Sequence, residues 1–394
     1  MSSRERMMIA LRNGQPDRVP VAPDISNMIP ARLTGRPFWD IYYHEDPPLW
    51  RAYLDAIDYF DMDGWFTYGD LGYQAPVTIP EEQQIISQGP ERWTVRTTYH
   101  TPAGDLTLLT VYPRRDPPTV TEKLVKNFPA DWPKLRYLLA APVSYDPTLF
   151  QEQKKALGER GIMCVGAGTP GFHVYHGYFH GNVEAATYAY YDYPDLFAEM
   201  VELDSRRCVR AAEMAIDAGA DSILTGGSGS ITLQSPAIWR KISLPTLKRV
   251  TRLCKEAGVI SGVHSCGKER YLVQVCAEET DLDYVNPLEI PPMGDCTLAE
   301  CKRLYGRRLA LMGNLHTTEV MLCGTPQDVR RESLQAILDA GQGGGFVLST
   351  GDQCGRDTPD ENIRAMVQAA KEWGQYPLDM AGLQAEIERL ARQA

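Results

Sequence analysis

Two short motifs in this chain carry soft metal donors. Val263-His264-Ser265-Cys266-Gly267 ends one apolar run, and Ser349-Thr350-Gly351-Asp352-Gln353-Cys354-Gly355 follows another much later in the chain. An imidazole and two thiols suit zinc. Three protein ligands also leave a fourth position open to a small molecule, as in a catalytic rather than a structural zinc site. The spacing matches no zinc-finger pattern. Taken alone, the same residues read equally well as ordinary strand-end positions, because an unpaired cysteine is often a small buried hydrophobe. The question is whether the fold brings His264, Cys266 and Cys354 together.

The elements that would do so are short β-rich runs alternating with helical patterns. The runs are 162–167, 222–225, 259–263, 284–288, 309–312 and 346–349, with 19–23 and 65–68 before them. Ser235-Pro236, Thr325-Pro326 and Thr358-Pro359 each set an N-cap before a proline, whose missing N–H costs nothing in a first helical turn. Thr358 with Glu361 reads as a capping box. Gly219, Gly258 and Gly341 read as C-terminal caps before the next strand.

Eight strands alternating with helices predict a single α/β domain over 1–394, a (β/α)8 TIM barrel with an N-terminal extension. A doubly wound open sheet is the alternative, but no glycine-rich dinucleotide turn follows the first strand. The stretch from about 74 to 142 breaks the alternation. Runs 93–98 and 106–111 flank a turn at Thr101-Pro102-Ala103-Gly104-Asp105, which predicts a β-hairpin insertion between the second and third strands, over or beside the barrel mouth.

In such a barrel the active site gathers residues just past the C-terminal strand ends. Here those are Asp24, Asp70, Thr169, Gly226, His264, Cys266, Glu289, Asn314 and Asp352. Glu289 is a candidate weak, displaceable fourth ligand. Asp352, two residues before Cys354, is placed to orient a ligand from behind or simply to shape the turn. These two carboxylates are the candidate catalytic residues beside the metal set. His173, His176 and His180 sit at spacings that one helical face can share, so they offer a second metal set or pocket-lining and packing residues. The tyrosines of 188–193 read as an aromatic floor or as core and rim. Gly226-Gly227-Ser228-Gly229 lacks a following Lys and reads as a strand-end loop, not a phosphate cradle.

Composition removes whole classes of function. A formal net charge of −11, with no basic block, argues against a nucleic-acid groove or an anionic membrane surface. Nine scattered cysteines do not make a disulfide framework and suggest a reducing compartment. The first fourteen residues have charges where a signal peptide needs an apolar core, and no run approaches membrane-spanning length. Cytoplasmic is the expectation.

Several of these motifs together resemble the uroporphyrinogen decarboxylase-like superfamily, and within it the zinc-dependent, corrinoid-linked methyltransferases. The resemblance runs from Arg4-Glu5-Arg6 and Pro16-Asp17-Arg18-Val19-Pro20 through Ala218-Gly219-Ala220-Asp221, Ser235-Pro236 and His264-Ser265-Cys266-Gly267. It ends with Gly313-Asn314-Leu315 and Thr358-Pro359-Asp360-Glu361-Asn362-Ile363. It implies zinc on His264, Cys266 and Cys354, with Glu289 as a further ligand. It also implies methyl transfer between a small methylated substrate and the cobalt of a corrinoid (cobalamin-type) cofactor carried by a partner protein. The insertion and the tyrosines incline the reading to an O-demethylase component acting on methoxylated aromatics. A thiol- or tetrahydrofolate-directed methylcobamide methyltransferase is the alternative. A decarboxylase proper would carry an arginine-rich signature after the first strand; Arg32 and Arg36 stand there without that pattern.

Overall fold

The computed structural model describes residues 1–393. Seven strands form one curled parallel sheet in chain order: Gly64–Gly69, Gly161–Gly166, Ser222–Gly226, Ile260–His264, Tyr284–Asn286, Ala310–Leu315 and Phe346–Thr350. Every neighbouring pair is parallel. These strands are apolar on both faces, as a parallel sheet covered by helices on its outer side requires. The inner face buries Trp65, Ile162, Cys164, Ile260, Tyr284, Met312 and Val347, and Met7, Ala10 and Leu11 of the helix Ser3–Leu11 pack into the same cluster. The N-terminal extension is therefore part of the core.

The 19–23 run, expected as a strand, makes only an isolated parallel bridge, Val21 to Leu348. Ala22 N donates to Leu348 O and Leu348 N to Pro20 O, both at 2.9 Å, while Asp63 N donates to Val21 O at 2.9 Å. The segment thus lies between the last and first strands of the sheet without completing a ladder. Pro20 and Pro23 explain this, since each removes an amide donor that a full strand would need.

A repeated device ties the N-terminal ends of the strands. Asp63, Asp221 and Asp283 each stand just before a strand and accept an amide from its neighbour: Val21 N at 2.9 Å, Met163 N at 3.0 Å and Ser261 N at 2.8 Å.

Between the first two strands of the sheet the chain departs from the expected hairpin. It builds a four-stranded antiparallel sheet, Glu81–Gln88, Arg92–Thr101, Gly104–Pro113 and Thr119–Glu122, then the helix Phe128–Leu138. The expected pair forms its centre, closed by a tight turn with Gly104 at φ +113°. The strand Glu81–Gln88 is exposed along its whole length, so its sequence carries no alternation to betray it.

Ser235 and Thr325 cap their helices as expected, accepting from Ile238 N and Asp328 N. Thr358 does not. The helix Asp360–Trp373 begins behind Pro359 with no side-chain cap. The terminal helix runs Met380–Ala391, and Ala394 lies outside the described residues. No described helix is long and apolar enough to cross a membrane.

Candidate metal centre

His264 is the last residue of its strand, and the parallel register sets it level with Gly226 on one side and Asn286 on the other. Side chains in one row of a parallel sheet leave by the same face. Asn286 Oδ1 accordingly stands 3.3 Å from His264 Nδ1. An imidazole that gives its Nδ1 hydrogen to a neighbour presents an unprotonated Nε2 outward, the usual preparation of a histidine ligand.

Gly226 has φ +76°, and a Cβ there would stand 2.5 Å from His264 O. Only glycine lets the chain turn so close to its neighbour. The loop then zips back over the site, with Gly227 N donating to His264 O at 2.7 Å and Gly229 N to Cys266 O at 3.1 Å. This brings Ser228 Oγ to 3.2 Å from Cys266 Sγ and 3.5 Å from His264 Nε2.

His264 Nε2 and Cys266 Sγ are 3.1 Å apart, and together with a carboxylate oxygen of Asp352 they form one group whose donor atoms all lie within 4.8 Å of one another. Zinc bonds of about 2.0–2.3 Å put two ligands of one ion about 3–4 Å apart. The imidazole and thiol already stand at that separation, and a carboxylate oxygen inside 4.8 Å of both completes a donor set whose chemistry suits such an ion.

The electrostatics of the site are dominated by burial of acids near one another. Burial, reinforced by the charges of Asp352 and Glu289, pushes the Cys266 thiol well up. Burial also raises Glu289, against the amide of Gly267 that donates to it, and the Asp352 charge raises it further. Asp24 is raised by burial too, although Ser26 donates to it from both its amide and its hydroxyl. Behind Glu289 lies a fully buried second acid, Glu269, which accepts the Glu289 amide at 3.2 Å.

The other candidate residues take different places around this group. Cys354 is not one of the three converging donors, although it lies near enough to Asp24 and Asp352 for their charges to raise it. Its amide donates to Asp24 O at 2.8 Å, and its thiol is 1% exposed in the main core, beside the Thr350 and Thr358 hydroxyls and pushed up to about 12 by burial. Asp352, expected behind a ligand, instead faces the His264–Cys266 pair. The three histidines after the second strand of the sheet form no second donor group among the described residues, which leaves the alternative of packing and pocket lining. His173 lies in a helix of only four residues, Phe172–Tyr175, that ends at His176, and the buried His173 turns to Thr169 at 3.4 Å. Burial lowers His173 to about 4. Tyr190 and Tyr191 line a separate cavity of about 420 Å³ with Phe197 and Lys241. Ser228 and Asn286 were not legible as site residues. The only signal for either was a glycine-rich loop in one case and a strand-end Asn-Pro in the other.

Against known proteins, the family model described as uroporphyrinogen decarboxylase (URO-D) matches residues 152–373, more than half of the chain. A methylcobamide:CoM methyltransferase, MtaA of Methanosarcina barkeri, is 27% identical over 180 residues, covering 45% of this chain and 50% of that protein. A uroporphyrinogen decarboxylase of Neisseria meningitidis is 24% identical over 189 residues, covering 46% and 50%. The chain thus spans about half the length of the curated relatives it matches. A solved methyltransferase from Methanosarcina mazei shares the fold, with a TM-score of 0.65 at 17% identity over 94% of this chain and 99% of that one. From the matched span and the shared fold, the chain belongs to the uroporphyrinogen decarboxylase (URO-D) family.

Proposed function

We propose that this protein is a zinc-dependent methyltransferase that moves a methyl group between a small methylated substrate, a methoxylated aromatic by preference, and the cobalt of a corrinoid carried by a partner protein. The observation that carries the reading is the His264–Cys266–Asp352 donor group at the C-terminal ends of the strands. A relative named as a methylcobamide:CoM methyltransferase supports the corrinoid part.

His264 and Cys266 are the first two zinc ligands in this reading. The third comes from the loop after the last strand, where Asp352 faces the pair and Cys354 follows two residues on. Glu289 stands by as a displaceable carboxylate. Zinc held there would supply Lewis acidity to the substrate. The chain's own residues do the rest. Asn286 fixes the His264 ring, Ser228 hydrogen-bonds the Cys266 sulfur, and the Gly226–Gly229 loop is pinned by backbone bonds across the site. All nine cysteines are free, which fits a reducing cytoplasm.

The decarboxylase reading, favoured by the Neisseria relative, needs free cations for a substrate rich in carboxylates. Arg32 and Arg36, the two arginines in the relevant stretch, are paired with Asp360 and Asp46. The thiol- or tetrahydrofolate-directed alternative shares the zinc site and differs only in the methyl acceptor.

Elemental analysis of the untagged protein tests the reading. About one zinc per chain is expected, lost in both His264→Ala and Cys266→Ala. Comparing Asp352→Asn with Cys354→Ala identifies the third ligand. No bound metal after zinc reconstitution under reducing conditions would sink the proposal and return the decarboxylase to the front.

A further inference from the structure

His316 follows Gly313-Asn314-Leu315 at the end of a strand and caps the helical turn Thr317–Leu322. Its Nδ1 accepts from two backbone amides, Thr318 N at 3.2 Å and Glu319 N at 3.1 Å. A nitrogen that accepts two N–H donors carries no hydrogen itself, so the ring's hydrogen sits on Nε2. That Nε2 is buried and has no hydrogen-bond partner. Buried donors in native proteins are almost always paired, and an orphan one asks for an explanation.

The ring lines a small cavity with Glu289, Ile290, Met293, Asn314 and Gly351. The cavity measures about 10 Å³, room for one water-sized group. It adjoins the candidate metal centre through Glu289, whose carboxylate takes the Gly267 amide, and through Gly351, the residue before Asp352. Asn314, also in the lining, donates through Nδ2 to Leu288 O at 2.8 Å, which leaves Oδ1 as its acceptor. No lysine or arginine lines the cavity. An anionic head such as a sulfonate would be buried against Glu289 with no cation to balance it, an expensive arrangement.

We propose that His316 is a substrate-binding residue whose Nε2–H donates to an uncharged hydroxyl oxygen of the methylated substrate. A hydroxyl placed there also has Asn314 Oδ1 and Glu289 as acceptors for its own hydrogen. The inference rests on the methyl-transfer reading above and narrows its substrate to an oxygen compound without an anionic head at this point.

Two variants separate the ring's two nitrogens. In His316→Asn the side-chain oxygen replaces Nδ1 as the cap, a role asparagine fills well, and the Nε2–H is deleted. In His316→Gln the amide N–H₂ replaces Nε2, and the cap is lost. Calorimetric binding of 2-methoxyphenol to the zinc-reconstituted full chain is the readout, with 2-mercaptoethanesulfonate as the anionic comparison. His316→Asn is expected to weaken 2-methoxyphenol about tenfold at unchanged Tm. His316→Gln is expected to stay within about threefold of wild type at a lower Tm.

Binding by His316→Asn equal to wild type overturns the inference. So does an equal loss in both variants, which marks the ring as packing only, or a preference of wild type for the sulfonate. A wild-type protein that holds no zinc overturns the methyl-transfer reading instead, and the same difference between Asn and Gln on that protein still supports the role of His316.

Discussion

The two ends of the curled sheet handle buried charge in opposite ways. At the N-terminal ends, Asp63 is completely buried and every valence is used. Its Oδ1 takes Arg6 at 2.7 Å and Arg18 at 3.2 Å, and its Oδ2 takes Arg18 and the Val21 amide, both at 2.9 Å. Asp17 pairs with the same Arg6 at 2.7 Å, so two acids meet two guanidiniums. At the C-terminal ends, Asp24, Asp352, Glu289 and Cys266 crowd one another with no lysine or arginine bonded to any of them. A region built only for stability closes its network. One that keeps acids unbalanced and a thiol beside an outward-facing imidazole has donors in reserve for something else, which is where stability is commonly given up for function.

The largest expected effect breaks the closed end. Asp63→Ala leaves two buried guanidiniums facing each other and frees the Val21 amide. Loss of one partner from a buried ion pair costs about 3–5 kcal/mol. Denaturant unfolding should show a loss of that size, or a protein that no longer folds. A cost below about 1 kcal/mol, the value of an exposed pair, would erase the distinction between the ends.

Next in size is the support of the open end. Asn286→Ala removes the group that orients the His264 ring without touching a proposed ligand. Such outer partners are worth about 10–100-fold in metal affinity. Competition against a chromophoric chelator reads this directly, and unfolding of the metal-free protein should hardly change. Unaltered zinc affinity would mean that His264 is held by its strand alone.

The pH response sharpens the same contrast. Burial and the Asp352 charge raise the Cys266 thiol, so in the metal-free protein it is protonated at neutral pH. A thiol must lose that proton to ligate. Zinc affinity therefore rises with pH, about tenfold per unit for one released proton. Titrations in two buffers of different ionisation heat count the proton. An affinity flat between pH 6.5 and 8 would show that the thiol does not ligate.

Much of this was legible in the sequence, for physical reasons that differ by element. Apolar runs bounded by Ser-Pro and Thr-Pro caps located the strands, because a buried parallel sheet needs continuous apolar segments. His264 and Cys266 were legible because their residue types are costly to bury without purpose. The 19–23 run was over-read: its apolar residues are buried, but Pro20 and Pro23 deny it a ladder. The strand Glu81–Gln88 was missed because an exposed edge carries no hydrophobic period. The partition between Asp352 and Cys354 depends on which way a loop turns its side chains, and that is set by the Cys354 amide bonding to Asp24 O, 330 residues away in sequence. Asn286 and His316 act through register and tautomer, which single-residue chemistry does not reveal.

The smallest expected effect tests the reserve at the open end most directly. Glu289 is raised by burial and by the Asp352 charge. A carboxyl group with a raised folded-state pKa contributes stability while protonated, below its ordinary range of about 4.3, and loses it as pH rises through the folded value. In the metal-free protein at neutral pH the Glu289 charge is therefore a net cost. Glu289→Gln keeps an oxygen for the Gly267 amide and removes that charge. It should be more stable than wild type at neutral pH, by on the order of 0.5–1 kcal/mol, the usual gain from relieving one unfavourable charge. The advantage should fade as pH falls through the ordinary carboxylate range, where wild-type Glu289 is protonated too. Unfolding curves of the two proteins at pH 7 and pH 4 measure this. A variant less stable than wild type at pH 7 would mean that the carboxylate belongs to a closed network like that of Asp63, and the contrast between the two ends would fail at the residue where it is most exposed to test.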